Sequence, residues 1–201
     1  VLSGNYQESN PIEVPAYVSI VGDDQRTVNV SPSTPTKDIF HVRKGTKLSN
    51  MTFKDHLRPA AAVGFPTTEI AENVGGGAWK GPYIQNCTSS TTTGTGIYID
   101  GDQARLLKAM NVDAFTQYNQ GGVGVAVTNG GFAQLVSVFT ICCNEAISCH
   151  TGGQADVANS NCSFGTYGLV ADGVSPLQFT GMTTSAAAVS QDNIILNVGI
   201  T

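Results

Sequence analysis

Four glycine corners constrain this chain more than any other feature. Asp100-Gly101, Asn129-Gly130, Thr151-Gly152 and Asp172-Gly173 each close a short apolar run, and the last three recur about 21–22 residues apart. The first interval is longer, about 29 residues. Ala104, Ala133 and Ala155 follow the first three corners at one common offset. A second echo is the pattern Asn, apolar, hydroxyl in Asn50-Met51-Thr52, Asn86-Cys87-Thr88 and Asn161-Cys162-Ser163. Periods of this length mark a solenoid, in which each repeat buries its inward face only against its neighbours.

Between the corners lie short strand-like runs with turn signals behind them: Val18–Val21, Val28–Val30, Ile39–Val42, Ile97–Ile99, Val123–Val127, Ile147–Cys149 and Leu169–Ala171. Three short strands and three turns per repeat of about 21–22 residues predict a right-handed parallel β-helix. The rival is an antiparallel β-sandwich or jelly roll, which needs no repeated corner. Composition agrees with the stacked coil. The 201 residues include 21 Thr, 15 Ser and 14 Asn, whereas Asp, Glu, Lys and Arg total 25, or 12%. Small polar side chains stack on themselves from coil to coil, and like charges do not. Gly, 23 in all, serves the corners, where positive φ is required.

Three segments depart from the coil. Asp102–Met110 has Leu106, Leu107 and Met110 at helical spacing and predicts a short helix capped by Asp102. Residues 55–82 hold Pro59, Pro66, Pro82 and Gly75–Gly77, and read as a long excursion anchored by Phe65 and Trp79. Residues 176–201 end in an apolar segment, Ile194–Ile200, expected to pair with the last coil or with a neighbouring chain. The whole, 1–201, reads as a single β-helix domain, and its start at Val1 suggests a piece of a longer chain.

The chemistry-bearing residues favour no catalytic site. The acids Asp100, Asp102, Asp113, Glu145, Asp156 and Asp172 are the candidates for a glycosidase pair. Stacked corners would hold Asp100 and Asp172 roughly 10–15 Å apart, whereas hydrolysis wants about 5–5.5 or 6.5–9.5 Å. A calcium-dependent lyase would need bases and acids on one coil face. Here Arg26, Arg43, Lys44, Lys47, Lys54 and Arg58 come early and the acids late. His41, His56 and His150 are far apart, with no nucleophile elbow and no phosphate loop. Tyr83, Tyr98, Tyr118, Trp79 and Phe132 could stack on sugars, but packing at corners is the simpler reading. Five cysteines, Cys87, Cys142, Cys143, Cys149 and Cys162, cannot all pair, and no zinc spacing is present; they read as reduced core thiols, with a single disulfide or a metal site as the lesser alternatives. Net charge −5 argues against nucleic acid, and no apolar stretch of about 18 residues predicts membrane insertion. No catalytic, cofactor or metal residue is assigned.

Val1-Leu-Ser-Gly-Asn-Tyr-Gln-Glu8, Asn10-Pro-Ile-Glu-Val-Pro15 and Val18–Arg26 resemble the opening of pectin-lyase-like β-helices, with their Gly-x-Tyr-x-Glu turn and apolar strand ending in Gly-Asp. The segment Leu135–Gly173 is similar to large virion structural proteins of tailed phages infecting marine cyanobacteria, in its Ser-x-Phe-Thr strand, Gly-Gly corner and Asn-x-Ser-Phe-Gly-x-Tyr-Gly-Leu run. The matches span about half the chain and carry no functional residue across. The resemblance implies a non-enzymatic tail, baseplate or fibre component of a virion, assembled in the bacterial cytoplasm. Its partners would be other copies of itself, as a homotrimer, and other virion proteins. The alternatives are a carbohydrate-binding tailspike fragment with host-surface polysaccharide as partner and depolymerase activity, or a bacterial surface adhesin of the same fold.

Overall fold

The computed structural model describes residues 1–66, 80–101 and 108–173. In chain order the strands are β1 (Gly4–Glu8), β2 (Ile12–Glu13), β3 (Ser19–Val21), β4 (Val28–Pro32), β5 (Phe40–His41), β6 (Lys47–Lys54), β7 (Ala61–Phe65), β8 (Tyr83–Ser90), β9 (Thr95–Asp100), β10 (Ala109–Tyr118), β11 (Val123–Thr128), β12 (Phe132–Ile141), β13 (Glu145–Cys149), β14 (Gln154–Ala158), β15 (Asn161–Ser163) and β16 (Tyr167–Ala171). All pair in parallel. One sheet runs β1-β4-β6-β8-β10-β12-β14, with β3 on β6 and β15 on β12; the other runs β16-β13-β11-β9-β7-β5-β2. Each coil lies on the next, and the chain is a parallel β-helix.

The register confirms the period. Phe132 pairs with Gln154, and Val123 with Glu145, which pairs with Tyr167; each step is about 22 residues. Earlier coils are longer: Tyr83 to Asn111 is 28, and Lys47 to Tyr83 is 36. The expected corners stack as well. Asn129, Gly130, Thr151, Gly152 and Gly173 all have positive φ, and Gly130 N–H donates to Thr151 O at 3.1 Å as Gly152 N–H does to Gly173 O at 2.8 Å.

Inward columns are apolar. Leu48, Ile84, Val112, Leu135 and Val157 lie in register in the first sheet, and Val63, Ile97, Val125, Ile147 and Leu169 in the second. Most are fully buried, and each such side chain contributes about 1.5–3 kcal/mol of transfer free energy. A third inward column turns polar: Phe53, Ser89, Gln117, Thr140. It faces glycines. A Cβ on Gly96 would stand 2.4 Å from Gln117 Oε1, and one on Gly124 2.6 Å from Thr140 Cγ2.

The long strands β6, β8, β10 and β12 bend once each. Asn50, Asn86, Ala114 and Ser137 have φ of 51–58°, and Asn159 follows at 48°. These residues stack, and each resets the in-out alternation so that one strand serves two faces of the coil. A threonine ladder runs along the second of these faces: Thr52, Thr88 and Thr116 are in register, and Gln25 clasps two of them, donating to Thr88 Oγ1 at 2.5 Å and accepting from Thr52 at 2.6 Å.

Three expectations change. Ala109 and Met110, read as a helix end, open β10; Met110 pairs with Ala133 and is fully buried, so coil pairing overrides helical spacing. The rest of that segment, 102–107, lies outside the described residues. Residues 55–82 are not one excursion: Ala61–Phe65 is a buried strand of the second sheet, with Phe65 in the core at 1% exposure. Small residues suit this strand because both of its faces are covered, and a Cβ on Gly64 would stand 2.4 Å from Asp38 Oδ2. Residues 67–79, with Trp79, lie outside the description, as does 176–201. Finally, the third Asn-apolar-hydroxyl pattern is out of phase. Asn161 stacks on Phe139 in the threonine column, and Asn159 takes the bend position.

Candidate functional site

The outer face of β8, β10 and β12, before the bend, carries a groove of about 600 Å³. Strand alternation fixes who faces it. Tyr83, then Asn111 and Asp113, then Gln134 and Val136 line it from successive coils, and Gln85 points outward on β8 beside them. Tyr83 Oη donates to Asp113 Oδ2 at 3.0 Å, and Gln85 Nε2 approaches the same oxygen at 3.4 Å. Burial first, then the Asp113 bond and charge, push the Tyr83 phenol above its ordinary pKa. Lys47 lies over the Tyr83 ring, 5.7 Å from its centroid. Lys47 is on a different coil from Asp113, as the sequence suggested, yet on the same face, because Lys47, Tyr83 and Asn111 are in register. The arrangement offers hydrogen-bond donors and acceptors in a grid, with one carboxylate oriented by two donors.

Asp100, Asp172 and Glu145 are structural partners of their neighbours. Asp100 accepts from Asn129 Nδ2 at 2.8 Å across the corner and from Tyr98 Oη at 3.3 Å. Burial, with the Asp100 charge, pushes the Tyr98 phenol up to about 12. Asp172 caps the next corners: its Oδ1 accepts from Thr151 N–H at 2.9 Å and its Oδ2 contacts His150 Nδ1 at 2.9 Å. Glu145 approaches His150 Nε2 at 3.7 Å. The structure thus brings Glu145 and Asp172 to one imidazole, and the Asp172 hydrogen bond raises the His150 pKa. Asp156 is exposed on β14, paired in register with Gln134; Asp102 lies outside the described residues.

A similar cluster escaped sequence reading. His41 Nδ1 meets Glu13 Oε1 at 2.8 Å, and its Nε2 meets Asp38 Oδ2 at 3.1 Å. Asp38 Oδ1 also accepts from Ala61 N–H at 2.7 Å, and Arg43 stands 3.7 Å from Glu13. The coil register places Glu13 beside His41; a 28-residue step in the first coils was the missing signal. Both clusters brace adjacent coils through a histidine, and their carboxylates are already engaged.

Of the remaining residues, His56 is fully buried, with Nε2 2.9 Å from Thr95 O, and burial lowers its pKa to about 4. Tyr98 and Tyr118 lie on other faces than Tyr83, so these three form no common platform; Phe132 opens β12 on the groove side. Lys108, unforeseen, is buried, with its ammonium 4.5 Å from the Phe65 centroid. All five cysteines are unpaired; Cys87 and Cys143 are buried, Cys142 and Cys149 half-buried, and Cys162 exposed, so the core reading fails for Cys162. Among the described residues no group of three or more His, Cys, Asp or Glu side chains could hold a metal ion, and no helix is long and apolar enough to cross a membrane. Comparison with protein-family models, curated proteins and solved structures finds no match.

Proposed function

We propose that this chain is a non-enzymatic structural component of a phage virion, a rigid β-helical rod or adaptor in a tail, baseplate or fibre that docks neighbouring subunits. The observation that carries the reading is the coil stack itself. Core columns, Thr ladders and corner hydrogen bonds run from coil to coil, so load along the axis is shared by parallel strand pairing throughout. Its sequence likeness to virion proteins lies in Leu135–Gly173, the coils with the most regular step, about 22 residues. Two further features support docking. Val157 and Leu169, the last members of the two core columns among the described residues, are 45% and 71% exposed, beside β14 and β16. The low charge, 25 of 201 residues, lowers the desolvation cost of covering such surfaces.

The test is location. Antibody raised against the chain, applied to purified particles of the phage that encodes it, should label the tail or its appendages in electron micrographs. Sedimentation of the purified protein should report a trimer. Absence from the particle, or release of reducing ends when the protein is incubated with host polysaccharide, would sink the reading.

A further inference from the structure

We propose that Cys143 and Cys162, on adjoining coils, hold a soft monovalent cation of the Cu(I) class between their sulfurs, in the cavity they share. The inference stands apart from the virion reading and uses only this thiol pair.

The coil register brings the two thiols together. Thr140 pairs with Cys162, so Cys162 continues the inward column of Gln117 and Thr140. Just past Thr140 the chain turns at the left-handed Cys142, φ 61°, and Cys143 enters the interior from the next face, at 1% exposure. Both cysteines line one cavity of about 80 Å³. Gly165 lies over Cys143, where a Cβ would stand 2.2 Å from Cys143 O, so only glycine lets the last coil close down there. Burial pushes the Cys143 thiol up to about 11, and the Cys162 and Cys142 charges add to it. A second observation marks the cavity as a site. Thr140 lines it at 1% exposure, and its hydroxyl has no hydrogen-bond partner among the described residues. Such a buried donor is costly unless the cavity's occupant brings an acceptor. A metal-bound Cys162 thiolate, directly above it in register, is that acceptor.

The donor set selects the ion. Among the described residues the cavity walls carry two thiols and no carboxylate or imidazole. Calcium and magnesium take six or more oxygens. Zinc takes about four ligands, and no described group of three or more His, Cys, Asp or Glu exists. Thiolates select Cu(I), and a linear pair of sulfurs completes its coordination. Two metal–sulfur bonds of about 2.3 Å span about 4.6 Å, against a coil step of ~4.8 Å. On binding, each thiol gives its proton to solvent and forms one sulfur–metal bond; no electron is transferred. The dithiolate complex keeps one negative charge, which reaches water through the exposed Cys162.

Anaerobic titration of the purified, reduced chain with Cu(I), in competition with the chromophoric chelator bicinchoninate, tests the idea. The chain should withdraw one ion, and weakly buffered solution should acidify by about two protons per ion. Cys162→Ser, an exposed change, should weaken binding by about a hundredfold or more, beyond what loss of a supporting group costs. Cys143→Ala should do the same where it folds. Cys149→Ala, whose sulfur lies outside the cavity, should leave binding unchanged. Bound Cu(I) should also protect Cys162 from alkylation. Cu(I) left wholly with the chelator, unaltered affinity in Cys162→Ser, or an equal loss in Cys149→Ala would each overturn the proposal. Particle labelling is untouched by any of these results, so the two readings fail separately.

Discussion

Asn86 donates from its side-chain amide to the side-chain carbonyl of Asn50, 2.8 Å away on the adjoining coil, and both residues sit in the left-handed region, at φ of 51° and 58°. The bend they form recurs in every coil described downstream, through Ala114, Ser137 and Asn159, and Asn159 again donates across to Ser137 at 3.1 Å. Asn tolerates this backbone because its short amide bonds locally. Ala114 has no such compensation.

The bend column therefore contains one position to improve and one to spoil. Ala114→Asn should stabilise the fold by about 1 kcal/mol, by removing part of a left-handed cost of ~1–2 kcal/mol. Asn86→Val should destabilise by about 2 kcal/mol, since a β-branched side chain cannot adopt that φ without strain. Thermal melts followed by circular dichroism would show shifts of about 2–4 °C per kcal/mol for a chain of this size. Equal melting temperatures for both variants would contradict the account.

Inside the coil, Gln117 is fully buried, and neither its Nε2 nor its Oε1 has a hydrogen-bond partner among the described residues. Its register neighbours Ser89 and Thr140 carry hydroxyls in the same condition. A buried polar group left unsatisfied costs about 1–3 kcal/mol. Gln117→Met keeps the volume and removes both polar atoms, so it should raise the urea midpoint with an unchanged slope. A lowered midpoint would mean that the amide makes compensating bonds.

The three histidines should titrate in a defined order. His56 has a folded pKa of about 4, set by burial. Below the ordinary 6.5 the unfolded state binds more protons, so stability should fall as pH drops from 6.5 towards 4, by up to about 3 kcal/mol. His150 and His41 run the other way. Hydrogen bonds from their rings to Asp172 and Asp38, respectively, raise them, so their contributions are complete below 6.5 and are lost as pH rises through the folded values. Histidine NMR titration should place His56 lowest, and Asp172→Asn should lower the His150 midpoint. An unmoved midpoint would remove the coupling.

Thiol chemistry should separate the cysteines. Burial pushes Cys87 up to about 12 and Cys143 to about 11, whereas Cys162 is exposed. The thiolate is the reactive form. Brief alkylation of the native protein, read by mass spectrometry, should modify Cys162 first and Cys87 only after denaturant is added. Early labelling of Cys87 would show that the first coils open.

Sequence by itself determined the repeat. Corner glycines about 21–22 residues apart, the short apolar runs between them, and a Thr, Ser and Asn surplus in place of charge are all one-dimensional signals, because a solenoid's contacts are between residues one period apart. The strands at Val123–Thr128, Glu145–Cys149 and Tyr167–Ala171 were legible for that reason. Where the step lengthens to about 28 or 36 residues, the signal fails. Only the register could then show that Ala61–Phe65 is a core strand, that Met110 points inward beside Ala133, and that Glu13, Asp38 and His41 meet. The groove was hidden for the same reason. Tyr83, Asp113 and Gln134 are ordinary outward residues of three separate strands, and they become one surface only when the parallel register sets those strands side by side.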